Sequence, residues 1–163
     1  MVSIGRAKPK KTVVGWREWV AMPELGIEKI KAKIDTGART SALHAFRIEQ
    51  FQRGGRRLLR FRVHPLQRLR DPEVLCEAVL IDERVVVSSN GEKEHRYVVE
   101  TSLKVGGEEW PIEMTLTNRD QMSFRMLLGR QALRQHLLVD PGRSFTLTSG
   151  KQRSGKPVSS RSK

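Results

Sequence analysis

The chain contains almost no cysteine and no long apolar run. Only one of its 163 residues is a cysteine, Cys76, so a disulfide framework cannot form, and a reducing cytoplasm is the expected setting. No apolar stretch approaches the roughly 18 residues that cross a bilayer. The charged N-terminus is not followed by the apolar segment of a signal peptide. We therefore expect a cytoplasmic protein without a membrane partner.

The sequence also lacks the short motifs of several enzyme classes. It has no H-E-x-x-H and no C-x-x-C, and its histidines lie far apart, at His44, His64, His95 and His136. This spacing disfavours zinc, although distant ligands can converge in a fold. The nucleophile motif G-x-S-x-G and the phosphate-binding motif G-x-x-x-x-G-K-[ST] are both absent. We expect no metal and no cofactor.

Acidic residues are outnumbered, with 18 Asp and Glu against 31 Lys and Arg and a net charge of +13. Residues 1–12 and 150–163 hold nine of the basic residues and no acid, and their composition predicts disordered basic tails. Residues 13–149 keep 22 basic and 18 acidic residues, a net charge of +4. Seven arginines fall within residues 53–70: Arg53, Arg56, Arg57, Arg60, Arg62, Arg68 and Arg70. They indicate either a solvated strand face with a loop or a docking surface for an anionic partner.

Short apolar runs with a period of two predict a single, mostly β domain over residues 13–149, built as a barrel or sandwich. Glycine- and proline-containing turns separate the runs. Only residues 130–137 read as a helix, and residues 41–46 could form one helical turn. Strands are expected near 13–21, 27–34, 44–52, 57–63, 74–81, 84–89, 95–105, 109–117, 124–128 and 143–148.

One acid, Asp35, follows directly on the strand-like run that ends at Ile34, and Thr36 and Gly37 come next. These are ordinary turn residues, so a structural turn is one interpretation. Half of a catalytic acid pair is the other. A second signal stands much later in the chain, where the apolar run "FRMLL" reaches Gly129-Arg130 and continues into the predicted helix.

These segments together resemble the retropepsin-type aspartic proteases. The resemblance rests on "IDTGA" (34–38), on a hairpin in "VVSSNGEKEHRYVV" (86–99) where that family has its flap, and on "LLGRQAL" (127–133). Longer segments between residues 13 and 148 resemble a bacterial family named ATP-dependent zinc proteases. Its members are often encoded beside ATP-grasp ligases that add glutamates to a ribosomal protein. The name implies zinc and ATP, but the residues favour an acid pair.

The resemblance implies a retropepsin-like closed β-barrel with one short helix, acting as a homodimeric aspartic-type peptidase. Asp35, Thr36 and Gly37 would be catalytic. The two Asp35 carboxyls would share a proton and activate water, Thr36 would join the two loops across the axis, and Gly37 would admit the substrate backbone. Gly129 would support the loop from below, and the Asn90-Gly91 hairpin would close over the substrate. The substrate would be bound by Ala38, Arg39, Asn90, Gly91 and Arg130.

Arg39 departs from the pattern of the retroviral relatives. They carry an acid at this position, which pairs with the arginine of the G-R motif, here Arg130. Arg39 could therefore favour an acidic substrate, because arginine binds carboxylates bidentately. It could equally point to solvent or meet an acid such as Glu113 or Asp120. Asp120 and Asp140 otherwise read as turn formers.

Three functions follow from this sequence. The first is a peptidase acting on an acidic or glutamate-modified protein tail. The second is a non-catalytic module that binds acidic peptides or a ribosomal component, and the third is a zinc-dependent peptidase, as the family name says. The expected partners are a peptide or protein substrate, a second copy of the chain, and a ribosomal component or an ATP-grasp ligase.

Overall fold

The computed structural model describes residues 11–66, 69, 71–87, 90–118 and 124–147. Several predictions lie outside these residues: most of both basic tails, Arg68, Arg70, Asp120 and the last residue of the strand expected at 143–148. Lys11 and Thr12 of the expected N-terminal tail are described. Lys11 Nζ donates to the Arg134 carbonyl at 2.8 Å, and Thr12 begins the first strand.

The described residues form eleven strands, one α-helix of a single turn and one 3-10 helix, and Thr146 and Leu147 are also helical. The helical segments are Pro23–Leu25 (3-10) and α1 (Arg130–Leu133). The strands are β1 (Thr12–Val14), β2 (Arg17–Met22), β3 (Ile27–Ile34), β4 (Ser41–His44), β5 (Phe46–Arg53), β6 (Arg56–Val63), β7 (Val74–Val87), β8 (Lys93–Val105), β9 (Glu108–Thr117), β10 (Met126–Leu128) and β11 (Leu137–Val139).

Six of these strands close a barrel. They are hydrogen-bonded in the order β2-β3-β10-β4-β9-β8, and β2 pairs back with β8 through Ala21 and Lys104. The sheet continues from β8 into β7, β6 and β5 as an antiparallel extension. The pairs β3–β10 and β4–β9 are parallel. The predicted mostly β closed barrel with one short helix is confirmed.

Strand β3 shows how alternation builds the barrel wall. Ile30, Ala32 and Ile34 are buried, whereas Lys29 and Lys33 are exposed and Lys31 is half-buried. Successive side chains of a strand point to opposite faces, so the apolar half of β3 enters the core and its lysines face outward. Large buried side chains from other strands complete the core, including Met22, Leu43, Phe61, Leu103, Met114, Met126 and Leu128.

The hairpin predicted within residues 86–99 is formed by β7 and β8. Val85 pairs with His95 and Val87 with Lys93, so the two strands run together almost to the turn. The sequence predicted separate strands at 74–81 and 84–89, but β7 is one long strand. A register shift between Leu80 and Asp82 absorbs the irregularity that read as a break.

Two predictions of local helix are corrected by long-range strand pairing. Residues 41–46 form no helical turn, because β4 lies between β10 and β9 and pairs with both. The helix predicted over 130–137 ends at Leu133. Leu137 instead begins β11, which pairs in parallel with β1. Local propensity is a weak signal beside such pairings.

The strand predicted at 143–148 is also wrong, and residues 143–147 pack against the start of β2 instead. The Arg143 carbonyl accepts the Trp16 N–H at 2.8 Å, and the Phe145 N–H donates to the Arg17 carbonyl at 2.9 Å. A Cβ at Gly15 would lie 2.1 Å from the Arg143 oxygen. This close approach explains why the strand expected at 13–21 is interrupted there.

Candidate active site

Asp35 lies in a tight turn directly after β3. Its backbone N–H donates to the Leu128 carbonyl at 2.9 Å, which fixes the start of the turn beside the end of β10. Within the turn, the Ala38 N–H donates to the Asp35 carbonyl at 3.2 Å, and the Gly37 N–H donates to Asp35 Oδ1 at 2.9 Å. Asp35 is half-buried, whereas Thr36 and Gly37 are exposed. The turn therefore orients the carboxylate through its own backbone and leaves it accessible.

Gly129 is in close backbone contact with the segment that leaves this turn. A Cβ at position 129 would lie 2.5 Å from the Thr40 carbonyl oxygen and 2.6 Å from its carbon. The Gly129 N–H donates to Ser41 Oγ at 3.0 Å. Only glycine fits between β10 and the segment that leaves the Asp35 turn.

Arg130 ties α1 to the same turn. Its backbone N–H donates to the Ala38 carbonyl at 2.7 Å, and its Nη1 donates to the Thr36 carbonyl at 3.1 Å. One residue further on, the Gln131 N–H donates to the Arg39 carbonyl at 3.1 Å. Within one chain, the guanidinium that the resemblance assigned to substrate binding thus helps to hold the Asp35 turn.

Arg39 has an exposed side chain, and within the described ranges it forms no ion pair. Glu113, one of the two acids named as candidate partners, is itself exposed and forms no ion pair there. The other candidate, Asp120, lies outside those ranges. Arg39 therefore lies beside the Asp35 turn as an exposed cation.

Asn90 and Gly91 lie in the turn between β7 and β8. Asn90 Oδ1 accepts the Glu92 N–H at 3.2 Å, and Gly91 has a φ of 87°. This left-handed conformation favours glycine. Both features shape the hairpin tip, and the assignment of these residues to substrate contact stays a prediction.

Two supports of the turn had no signal in the sequence. Ser41 binds the Gly129 N–H, and the Trp16 carbonyl accepts the Ile34 N–H at 2.7 Å. Each contact joins segments that are distant along the chain. The run of small residues after Asp35 was visible, but nothing in the sequence indicated which partner it would meet.

The part of the chain that the structure describes offers no donor set for zinc. It contains no group of three or more His, Cys, Asp and Glu side chains that could hold a metal ion. The histidines have separate neighbours: His44 contacts Arg125, His64 packs on Phe46, His95 contacts Glu83, and His136 stacks on Trp110. Burial raises the pKa of Cys76 to about 12, so this cysteine is a neutral thiol. These residues do not fit the zinc of the family name.

The arginine-rich segment carries its own counter-charges. Glu77 pairs with Arg53 at 3.0 Å and with Arg60 at 3.1 Å, and its hydrogen bonds to these arginines lower its pKa. Likewise, Arg57 pairs with Glu83 and Arg62 with Glu73. The acids lie on or next to β7, which pairs with β6. Four of the five arginines that the structure describes in this segment are thus ion-paired, so this part is a network of ion pairs rather than an open cationic surface.

None of the helices in the described residues is long and apolar enough to cross a membrane.

The fold of this chain is similar to that of a solved protein structure. A solved structure from Legionella pneumophila, the protein Lpg0085 of unknown function, matches this fold with a TM-score of 0.72 and 28% identity. The match covers 85% of this chain and 99% of that one.

The related sequences include proteins named "Probable alpha-L-glutamate ligase". One from Shewanella pealeana is 48% identical over 137 residues, and one from Parasynechococcus marenigrum is 49% identical over 138. The alignments cover 84% and 85% of this chain, but the chain spans only 30% of the length of each relative. Residues 13–149 match the family described as the retropepsin-like aspartic endopeptidase RimB. With the Asp35 turn, its glycine support and a family match across the whole barrel, this chain belongs to the RimB-like family.

Proposed function

We propose that this protein is an aspartic-type peptidase that hydrolyses a peptide bond in an acidic or glutamate-modified protein tail. The observation that carries the proposal is the Asp35 turn. Leu128, Gly129 and Arg130 hold it by backbone and guanidinium contacts. These contacts fix the backbone of the turn and leave the carboxylate half-exposed, which a group that must exchange protons with bound water requires.

The active form is a homodimer in this proposal. The described residues contain one D-T-G turn, so a second acid comes from a second copy, and a two-fold axis places the two Asp35 carboxyls together. Two carboxylates a few ångströms apart do not both ionise, so the pair shares one proton. The ionised partner takes a proton from water, and the water attacks the scissile carbonyl. The protonated partner donates to the carbonyl oxygen. Thr36 joins the two turns across the axis.

An acidic substrate is supported by the charge beside the turn and by the relatives. Arg39 is an exposed cation two residues after Gly37, and arginine binds carboxylates through two parallel hydrogen bonds. Relatives named as glutamate ligases contain this domain within a longer chain. We therefore propose a glutamate ligase or its product, such as a modified ribosomal component, as the partner. The reducing cytoplasm is the compartment that suits the unpaired Cys76.

The test is the replacement Asp35→Asn, assayed with a fluorogenic glutamate-rich peptide. The amide keeps the shape of the carboxyl group but cannot take a proton from water, so turnover should disappear while the melting temperature stays near that of the wild type. The matched control is Asp71→Asn, at an exposed aspartate far along the chain, and it should keep wild-type turnover. An Asp35→Asn protein with wild-type turnover would end the proposal.

A non-catalytic binding module is the second candidate, because relatives named as ligases carry this domain beside the remainder of their chain. It predicts that wild type and Asp35→Asn bind a glutamate-rich peptide equally and that neither cleaves it. Sedimentation of the wild type at micromolar concentration adds an independent test. A strict monomer with and without peptide would leave the acid pair incomplete.

A chelator tests the zinc hypothesis. Removal of zinc by the chelator should leave turnover unchanged. An activity that is lost on chelation, together with stoichiometric bound zinc, would restore the metal hypothesis.

A further inference from the structure

We infer that the outer face of β2 and β3 is a docking site for an extended acidic polypeptide. We call this surface the lysine face and define it by Arg17 and Trp19 on β2 and by Lys29, Lys31 and Lys33 on β3. Only one part of this inference rests on the proposed peptidase function, namely that the docked chain is the substrate. The docking itself needs no catalysis.

The lysine face holds cations without counter-charges. Within the described part of the chain, Arg17 and the three lysines form no ion pair with a carboxylate. The acids on the same strands do not neutralise them: Glu18 is buried on the opposite side of β2, where it binds backbone N–H groups, and Glu28 is an exposed residue near the start of β3. The arginines of β5 and β6 show the opposite arrangement, since most of them meet a glutamate.

The strand register brings cations together on this surface. Arg17 stands directly opposite Lys33, and Trp19 stands opposite Lys31. Like charges directly opposite each other destabilise an antiparallel pair. A carboxylate-rich chain lying across β2 and β3 would relieve that repulsion, and this relief is a source of binding free energy.

Aromatic rings hold the cations in place before any partner arrives. Lys29 Nζ lies 4.7 Å and Lys31 Nζ 5.6 Å from the centre of the Trp19 ring. Arg17 Cζ lies 4.5 Å from the Trp16 ring and 4.8 Å from the Phe145 ring. Side chains ordered in this way lose less conformational entropy when they bind.

The spacing of the lysines matches an extended peptide that leads to the catalytic turn. Lys29, Lys31 and Lys33 occupy alternate positions of β3, which places them about 6.6 Å apart along the strand. Alternate side chains of an extended acidic chain repeat at the same distance. Strand β3 ends at Ile34, so the row of lysines leads directly to Asp35. A tail docked along it would deliver its carboxylates beside the acid pair.

The same aromatic contacts favour a polypeptide over RNA. Single-stranded nucleic acid is commonly held by bases that stack on aromatic rings. Here Lys29 and Lys31 lie over Trp19, which also stacks with Phe145 at a centroid distance of 6.1 Å. Trp16 is covered by Arg17. These rings are engaged by the protein's own side chains, which leaves charge as the main attraction of the surface.

The experiment measures binding in an Asp35→Asn background, so that cleavage cannot interfere. A labelled oligoglutamate peptide is titrated with the protein at low and physiological salt, and an oligoglutamine peptide and a single-stranded RNA of equal charge serve as probes of chemistry. The test variant combines Lys29→Gln, Lys31→Gln and Lys33→Gln. The control combines Arg47→Gln, Arg56→Gln and Arg134→Gln, which removes the same charge from exposed arginines elsewhere. Thermal melting checks that both variants fold.

We expect the lysine variant to bind oligoglutamate roughly tenfold more weakly and the control to change by less than about twofold. The difference should shrink as salt rises. Equal weakening in both variants would overturn the docking site, because net charge alone would then explain binding. The docking site would also be overturned if the wild-type surface did not bind oligoglutamate. It would likewise be overturned if the protein bound the RNA more tightly than oligoglutamate and the lysine variant lost that RNA binding. If the variants separate as expected but the wild type does not cleave, the docking site stands and the peptidase proposal fails.

Discussion

Replacement of Gly129 by alanine should damage catalysis more than it damages the fold. The new Cβ would lie 2.5 Å from the Thr40 oxygen, 2.6 Å from its carbon and 2.8 Å from its nitrogen. All three are backbone atoms, so no side-chain rotation can relieve the contact. The segment 38–41 or the end of β10 must move, and both carry hydrogen bonds that fix the Asp35 turn.

Overpacking of this kind costs about 1–3 kcal/mol. For a domain of this size each kcal/mol lowers the melting temperature by roughly 2–4 °C, so we expect a decrease of about 2–12 °C. A displacement of about 1 Å in a catalytic group can cost on the order of a hundredfold in rate. We therefore expect kcat/KM on a glutamate-rich peptide to fall by roughly that factor at a temperature where the variant is fully folded.

Gly107→Ala is the matched control, because a Cβ at position 107 meets nothing within 4 Å. It should leave the melting temperature and kcat/KM close to those of the wild type. The reasoning would be refuted if Gly129→Ala behaved like this control. A loss of stability with full retention of kcat/KM would show that the glycine supports the barrel but not the Asp35 turn.

Three further perturbations test other parts of the structure. Glu18→Ala removes the buried carboxylate that accepts the backbone N–H groups of Gly15, Thr146 and Leu147. Urea unfolding should therefore show that the free energy of unfolding falls by about 2–4 kcal/mol, whereas Glu28→Ala, at an exposed position, should change it very little. Arg39→Ala should lower turnover of glutamate-rich peptides by roughly tenfold and turnover of neutral peptides much less. This difference should decrease in high salt. Equal losses of turnover on both peptides would show that Arg39 supports the fold instead. The pKa of Glu77 is lowered by Arg53 and Arg60, so its contribution to stability is present above its ordinary pKa and is lost as the pH falls through the lower, folded-state value. Acid unfolding below about pH 4.5 should therefore be less steep in Glu77→Gln than in the wild type, and identical acid profiles would contradict this coupling.

The sequence predicted those features whose signal is local. Alternation located β3, and turn residues located the ends of strands: Gly26 and Gly106 both have positive φ values in turns next to predicted strands. The D-T-G and G-R motifs were recognised by their resemblance to a known family, and both lie where tight turns or close backbone approaches restrict the residue type. In the structure these motifs meet, since Leu128, Gly129 and Arg130 contact the Asp35 turn.

Features decided by distant partners could not be predicted. The segment 41–44 became a strand because β10 and β9 flank it. The Glu18 carboxylate binds N–H groups 128 and 129 residues further along the chain. A buried glutamate within an alternating strand reads as a surface residue until its partners are known. The segment 143–148 was likewise predicted as a strand, because the packing of residues 143–147 against Gly15 has no local signature.

The charge of the barrel shows the same dependence on register, with a consequence for function. Arginines are most concentrated in residues 53–70, which indicated either a solvated strand face with a loop or an anion-binding surface there. The pairing of β6 with β7 sets Arg60 opposite Glu77, so much of this charge is neutralised within the sheet. The pairing of β2 with β3 sets Arg17 opposite Lys33 and leaves the charge open. Because a shift of one residue would turn these side chains to the other face, the location of a cationic surface depends on strand register and cannot be read from net charge. On this argument, an acidic partner is to be sought along β3, in line with Asp35, rather than on the arginine-rich extension.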